Sequence, residues 1–148
     1  MDAQVDAAAL VGAIGDALVV SDVQGKVIVW NSGAERLFGW SAQEALGQRM
    51  DMIVPERLRQ RHWEGYDKSM QTGHTKYAHD VLRVPAVDKS GRAMSIAFTV
   101  FMLFGPDGKP SACGSVIRDE TDRFAQDRAL RQRVAELEAQ LVAGKAGS

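Results

Sequence analysis

The sequence predicts an α+β fold: a five-stranded antiparallel sheet with helices packed on one face, flanked by N- and C-terminal helices. Three observations carry this expectation. Five runs rich in β-branched, aliphatic and aromatic residues are joined, within the first pair and again through the last three, by short turn sequences, so neighbouring strands run antiparallel. A block of helical patterning separates the second run from the third, which gives those helices one sheet to cover. The chain has 148 residues, 45% of them hydrophobic, the size and composition of one globular domain.

Residues 3–17 carry Val5, Ala8, Leu10, Val11 and Ile14 at helical spacing, so a leading helix ends near Gly15-Asp16. Residues 18–22 and 27–31 are β-rich runs about a Gln24-Gly25 turn and form a hairpin. Two short helices follow over 32–38 and 41–46. Ser32 and Ser41 are their expected caps, Ser41 with Glu44 in a capping box, and Gly39 and Gly47 close them.

A longer central helix starts at Pro55, whose missing N–H costs nothing in a first turn, with Glu56 complementing the positive end of the dipole. Leu58, His62, Tyr66 and Met70 recur every four residues on one side, and Thr72-Gly73 supplies the stop. Strands are then expected over 79–87, 94–104 and 112–118, with turns at 88–91 and 105–108. In the longest, Met94, Ile96, Phe98, Val100, Met102 and Phe104 share the core face.

From Asp119 the chain becomes charged and alanine-rich, with Leu130, Val134, Leu137 and Leu141 forming a narrow seam and residues 144–148 a frayed end. The seam is under two heptads long, which leaves open a helix docked on its own sheet and a helix paired with a second copy. The expected division is 1–16 as N-terminal helix, 17–122 as the sheet-bearing domain and 123–148 as a C-terminal helix and tail.

The formal net charge of -1 offers no basic excess for nucleic acid. The first twenty residues hold Asp2, Asp6 and Asp16 but no Lys or Arg, unlike the basic start of a signal peptide, and no apolar run is long enough to span a membrane. Cys113 is the only cysteine, which excludes an internal disulfide and a cysteine zinc cluster and agrees with a reducing compartment. The chain is therefore expected to be cytoplasmic. It has no Gly-rich phosphate loop, no His-Glu-x-x-His and no nucleophile elbow, so it is not expected to be an enzyme. By spacing alone His62 is either a hydrogen-bonded core residue or a ligand. His74 and His79 are too isolated to suggest zinc.

Asp22 to Asn31, then Ala34-Glu35-Arg36-Leu37-Phe38-Gly39-Trp40-Ser41 and the closing Ile117-Arg118-Asp119-Glu120-Thr121, resemble the PAS family of sensor domains across residues 8–122. Glu120 stands where that family usually has an aliphatic residue. The central stretch is most similar to the haem-binding oxygen sensors of the FixL type, in which a helix begun by Pro-Glu carries Arg-His. Pro55-Glu56 and Arg61-His62 match, so the resemblance implies haem b with His62 as the proximal iron ligand. It also implies that Lys68 and Lys76, six and fourteen positions after His62, hold the propionates. Ile96, Phe98 and Val100 fall on the apolar distal wall, with Ile53, Tyr66 and Tyr77 as further lining.

One position departs. Where the FixL type has an arginine that hydrogen-bonds bound oxygen, this chain has Leu82, and the adjacent Arg83 belongs on the opposite face of its strand. The resemblance thus implies a gas or redox sensor of the signal-transduction class, taking O₂, CO or NO in a drier pocket, with His79 as a conceivable sixth ligand. The signal is then expected to leave through the C-terminal helix toward a separate protein, and the amphipathic stretch 3–14 with the seam of Leu130, Val134, Leu137 and Leu141 makes a homodimer the expected assembly. The competing reading is a haem-free module that binds a small organic ligand such as a fatty acid, or a dimerising interaction domain. An electron carrier or peroxidase-like protein is a weaker third class, since no distal acid–base pair is visible. A light-oxygen-voltage photosensor is disfavoured, because no cysteine occurs over residues 47–72.

Overall fold

The computed structural model describes residues 4–75 and 77–146. Its elements run α1 (Ala7–Ala13), β1 (Ala17–Asp22), β2 (Val27–Trp30), α2 (Ser32–Phe38), α3 (Ala42–Ala45), α4 (Arg59–Thr72), β3 (Leu82–Val87), β4 (Ala93–Phe104), β5 (Pro110–Asp119) and α5 (Thr121–Ala146). Two 3-10 turns, Met50–Ile53 and Glu56–Leu58, precede α4. The sheet is antiparallel throughout, in the order β2-β1-β5-β4-β3. Both ends of the chain thus reach the centre of the sheet, and the helices between β2 and β3 cross one face of it.

The edges follow from local chemistry. β3 carries Pro85, which lacks a ladder donor and is tolerated because β3 is an edge strand. On the opposite edge, Gly47 N–H donates to Val27 and Val27 N–H to Gln48, so the segment after α3 caps β2. Between sheet and helices lies the core: Val19, Val27, Trp30, Phe38, Ile53, Met94, Ile96 and Ile117. Trp30 stacks on Phe38 with centroids 5.5 Å apart and donates its indole N–H to the Trp40 carbonyl.

Several boundaries differ from expectation. The cap of α2 is Asn31, one residue before Ser32, which lies inside the helix and donates its hydroxyl to Gly12 O. Asn31 is 5% exposed. Its Oδ1 accepts from Leu18 N–H at 2.8 Å and Ala34 N–H at 2.9 Å, and its Nδ2 donates to Val11 O and Asp16 O. An amide, whose NH₂ has two N–H donors where a hydroxyl has one, makes all four of these bonds and joins α1, β1 and α2. The capping box of Ser41 and Glu44 is present as expected.

The helix expected from Pro55 begins with a tighter 3-10 turn, and regular α4 starts only at Arg59. β3 starts at Leu82 because residues 77–80 form a turn. At the N-terminus, α1 is only seven residues, capped by Asp6. α5 continues through Ala146, and residues 122–145 of it are all exposed. Docking of this helix on its own sheet is therefore overturned.

Candidate functional site

α4 hangs over the inner face of the sheet and is fixed by aromatic side chains rather than by a cap at its start. Its far end is closed by Gly73 in the left-handed region at φ 69, beside Phe104 and Pro110 of the β4–β5 hairpin. Near the middle, Trp63 lies against the turn of the β1–β2 hairpin. Gly25 has φ 81 there, and a Cβ on it would stand 2.3 Å from the Trp63 ring. The Trp63 indole N–H donates to Asp51 Oδ1 at 2.5 Å, and the Arg49 guanidinium lies 4.1 Å from the centroid of the same rings. Tyr66, 8% exposed, donates its hydroxyl to Asp22 O, and burial pushes its pKa up.

His62 sits one turn before Tyr66. Its ring meets Trp63 edge-on at 4.7 Å between centroids and lies 6.2 Å from Tyr66. Burial lowers its pKa, with Asp51 opposing the shift and Arg49 adding to it, so the imidazole is neutral at neutral pH. Nδ1 of His62 is buried and has no hydrogen-bond partner. A buried polar nitrogen without a partner is costly in a packed interior, so the side chain is not explained as an ordinary hydrogen-bonded core histidine.

The inner face of the sheet, over which α4 lies, carries an apolar strip. β4 is fully buried at Met94 and Ile96, but Phe98, Val100 and Met102 on the same face are only half-buried. Leu82 pairs with Phe98 and Val84 with Ile96, so Leu82 shares this face and is half-buried too. Arg83 pairs with Ala97 on the opposite face and is exposed. Val100 N–H donates to Tyr77 O at 3.0 Å, which brings the segment before β3 alongside β4. Ile53, 6% exposed, belongs to the core next to the strip.

The other expected site residues scatter. Lys68 is exposed on α4, and His79 is exposed in the turn before β3. Lys76 lies outside the described residues. Cys113 sits on the inner face of β5, where burial raises its thiol to about 11, so it is not a reactive thiolate. An open cleft of about 460 Å³ lies elsewhere, and a second, of about 350 Å³, is lined by Arg49 and Asp51 together with Trp40, Glu44, Gln48 and Met52. Sequence reasoning missed Asp51, Arg49, Trp63 and Asn31. Only Gly25 hinted at Trp63, since a hairpin glycine permits close approach.

The donor set restricts what the site can hold. Among the described residues no three His, Cys, Asp or Glu side chains gather to bind a metal ion, so a bare ion has no cage. A single neutral imidazole on a helix over an apolar sheet face instead fits a group that brings most of its iron's ligands with it, such as a haem.

Known proteins bear on this geometry. A family model described as PAS fold matches residues 11–125. Sensor protein FixL of Bradyrhizobium diazoefficiens is 30% identical over 132 residues, which cover 87% of this chain and 24% of that protein. Oxygen sensor protein DosP of Escherichia coli is 30% identical over 112 residues, covering 72% of this chain and 13% of that one. The chain therefore spans a quarter or less of the length of these relatives. The crystal structure of a PAS domain from Colwellia psychrerythraea superposes with a TM-score of 0.66 at 25% identity, covering 78% of this chain and 94% of that domain.

Proposed function

Because this chain belongs to the PAS family and is homologous to FixL and DosP, we propose that it is a sensory domain that binds one haem b through His62. The observation that carries this reading is the neutral, half-buried His62 with a partnerless Nδ1, on a helix over the inner face of the sheet, the face that also carries the half-buried Leu82, Phe98 and Val100. Bound haem would supply an iron that takes a diatomic gas or changes oxidation state.

The chain's own residues do the rest. Burial keeps the imidazole unprotonated and able to donate its lone pair, while Trp63 and Tyr66 hold its ring against rotation. Leu82, Ile96, Phe98 and Val100 would line the bound group with apolar surface and exclude water from it. Lys68 and Lys76 are assigned to the propionates by the FixL resemblance. With leucine in place of a cationic donor, CO or NO binding, or iron oxidation, is the favoured signal over O₂.

The signal would leave along β4. The strand that carries Phe98 and Val100 also ties the root of α5: Ser95 N–H donates to Thr121 Oγ1 at 3.0 Å, and Glu120 N–H to Ser95 O at 2.8 Å. Asp119 Oδ1 accepts from Thr121 N–H at 2.8 Å, capping α5. A shift of β4 thereby reaches α5, which would act on a second copy or on a separate signalling protein. The chain itself is proposed to be non-enzymatic and cytoplasmic; no described helix is long and apolar enough to cross a membrane.

Absorption titration of the full chain with haem tests this reading. A Soret band saturating at one equivalent is expected in the wild type and not in His62→Ala, whose circular dichroism should be unchanged. A haem-free wild type that takes up none on reconstitution would instead favour an organic ligand on the strip of Phe98, Val100 and Met102.

A further inference from the structure

A cleft of about 460 Å³ opens where the start of β1, α2, the start of β4 and the end of β5 meet, away from His62. Met94 and Ile117 contribute apolar floor, and three guanidiniums from three different parts of the chain stand round it: Arg36 on α2, Arg92 before β4 and Arg118 on β5. Their local pairing is uneven. Arg118 Nε donates to both carboxylate oxygens of Asp16, at 3.2 and 3.1 Å. Arg36 Nη2 donates only to the Gly15 carbonyl, at 3.3 Å. Among the described residues neither Arg36 nor Arg92 makes an ion pair, although Asp88 attracts Arg92 across its turn. Asp119 also lines the cleft, but its Oδ1 is committed to Thr121.

We propose that this cleft binds a compact organic dianion of the dicarboxylate or phosphate-ester class through Arg36 and Arg92. Guanidinium forks recognise planar carboxylate and phosphate groups through paired hydrogen bonds, and the apolar floor accommodates a short carbon body. The occupant would join α2 and the start of β4 to the strand end that runs through Arg118 and Asp119 straight into α5. The cleft would thus give the chain a second input to α5, separate from whatever fills the space beside His62.

The test is calorimetric titration and amide NMR of the full chain with succinate and, separately, inorganic phosphate, at low ionic strength where such contacts are least screened. One saturable site per chain is expected, with the largest amide shifts at residues 92–94 and 117–119; the tighter probe identifies the headgroup. Arg92→Gln and the Arg36→Gln, Arg92→Gln double variant should each melt as the wild type does and bind about ten- to a hundredfold more weakly, the double variant at the far end of that range. The proposal is overturned by no saturable binding of either probe, by unchanged affinity in folded Arg92→Gln, or by shifts spread over surface lysines alone.

Discussion

His62 is the residue on which the account turns, and its protonation makes a prediction. In the unfolded chain the imidazole takes its proton near its ordinary value of 6.5, while burial in the folded chain delays protonation to lower pH. Between those two values the unfolded state binds more protons, so the stability of the haem-free protein should fall as pH falls from about 6.5. Denaturant titrations at pH 7.5 and 5.5 should show this loss in the wild type and a smaller one in His62→Gln; equal losses would remove burial of His62 as the cause. In the haem-binding chain proposed here, Leu82 would set ligand choice. O₂ draws more negative charge on binding than CO does, and a charge-assisted hydrogen bond contributes about 1.5–3 kcal/mol. Leu82→Arg in the haem-loaded protein should therefore tighten O₂ by roughly ten- to a hundredfold with little change in CO. A wild type that already holds O₂ tightly, and loses it on Arg83→Ala, would contradict the placement of Arg83 on the far face.

Elements were legible to different degrees, for physical reasons. Alternation and turn chemistry gave all five strands and the core face of β4, because side-chain period and glycine turns are local signals. The 3-10 turns before α4 and the role of Asn31 were not legible, since both depend on partners far along the chain. Asn31 satisfies groups up to 20 residues away, and no local motif announces that. Asn31→Ala leaves the Leu18 and Ala34 N–H groups without their acceptor inside the core, and should cost about 3 kcal/mol in chemical denaturation from the lost cap and unsatisfied donors combined. Gly25→Ala should also destabilise, by about 1–3 kcal/mol, since the new methyl meets the Trp63 ring at a left-handed backbone position. In the site, Leu82 and Arg83 could be assigned to opposite faces from strand periodicity alone. The clamp of Trp63 and Tyr66 on Asp51 and on the β1–β2 hairpin at Asp22 and Gly25 could not, because it joins three separated segments.

For the whole molecule, α5 is the outstanding feature. It is 26 residues long, about 39 Å at the helical rise, and its seam of Leu130, Val134, Leu137 and Leu141 is 43–67% exposed. An apolar seam on a helix that touches the sheet only at its root requires another surface, and a second α5 in a coiled-coil contact supplies one. Sedimentation should give a dimer for the full chain and a monomer after truncation following Asp122; a monomeric full chain would remove the dimer. Such a dimer would let a small shift of β4, passed through Ser95 to Thr121, alter the packing of two helices at once.

Haem ligation by His62 is tested most directly by His62→Gly titrated with haem in the absence and presence of free imidazole. Removing the side chain leaves a space of the right shape for imidazole, so the variant should give no stable Soret band alone and regain one of wild-type position when imidazole is added. A wild-type spectrum in His62→Gly without imidazole would show that another residue binds the iron and would contradict the account.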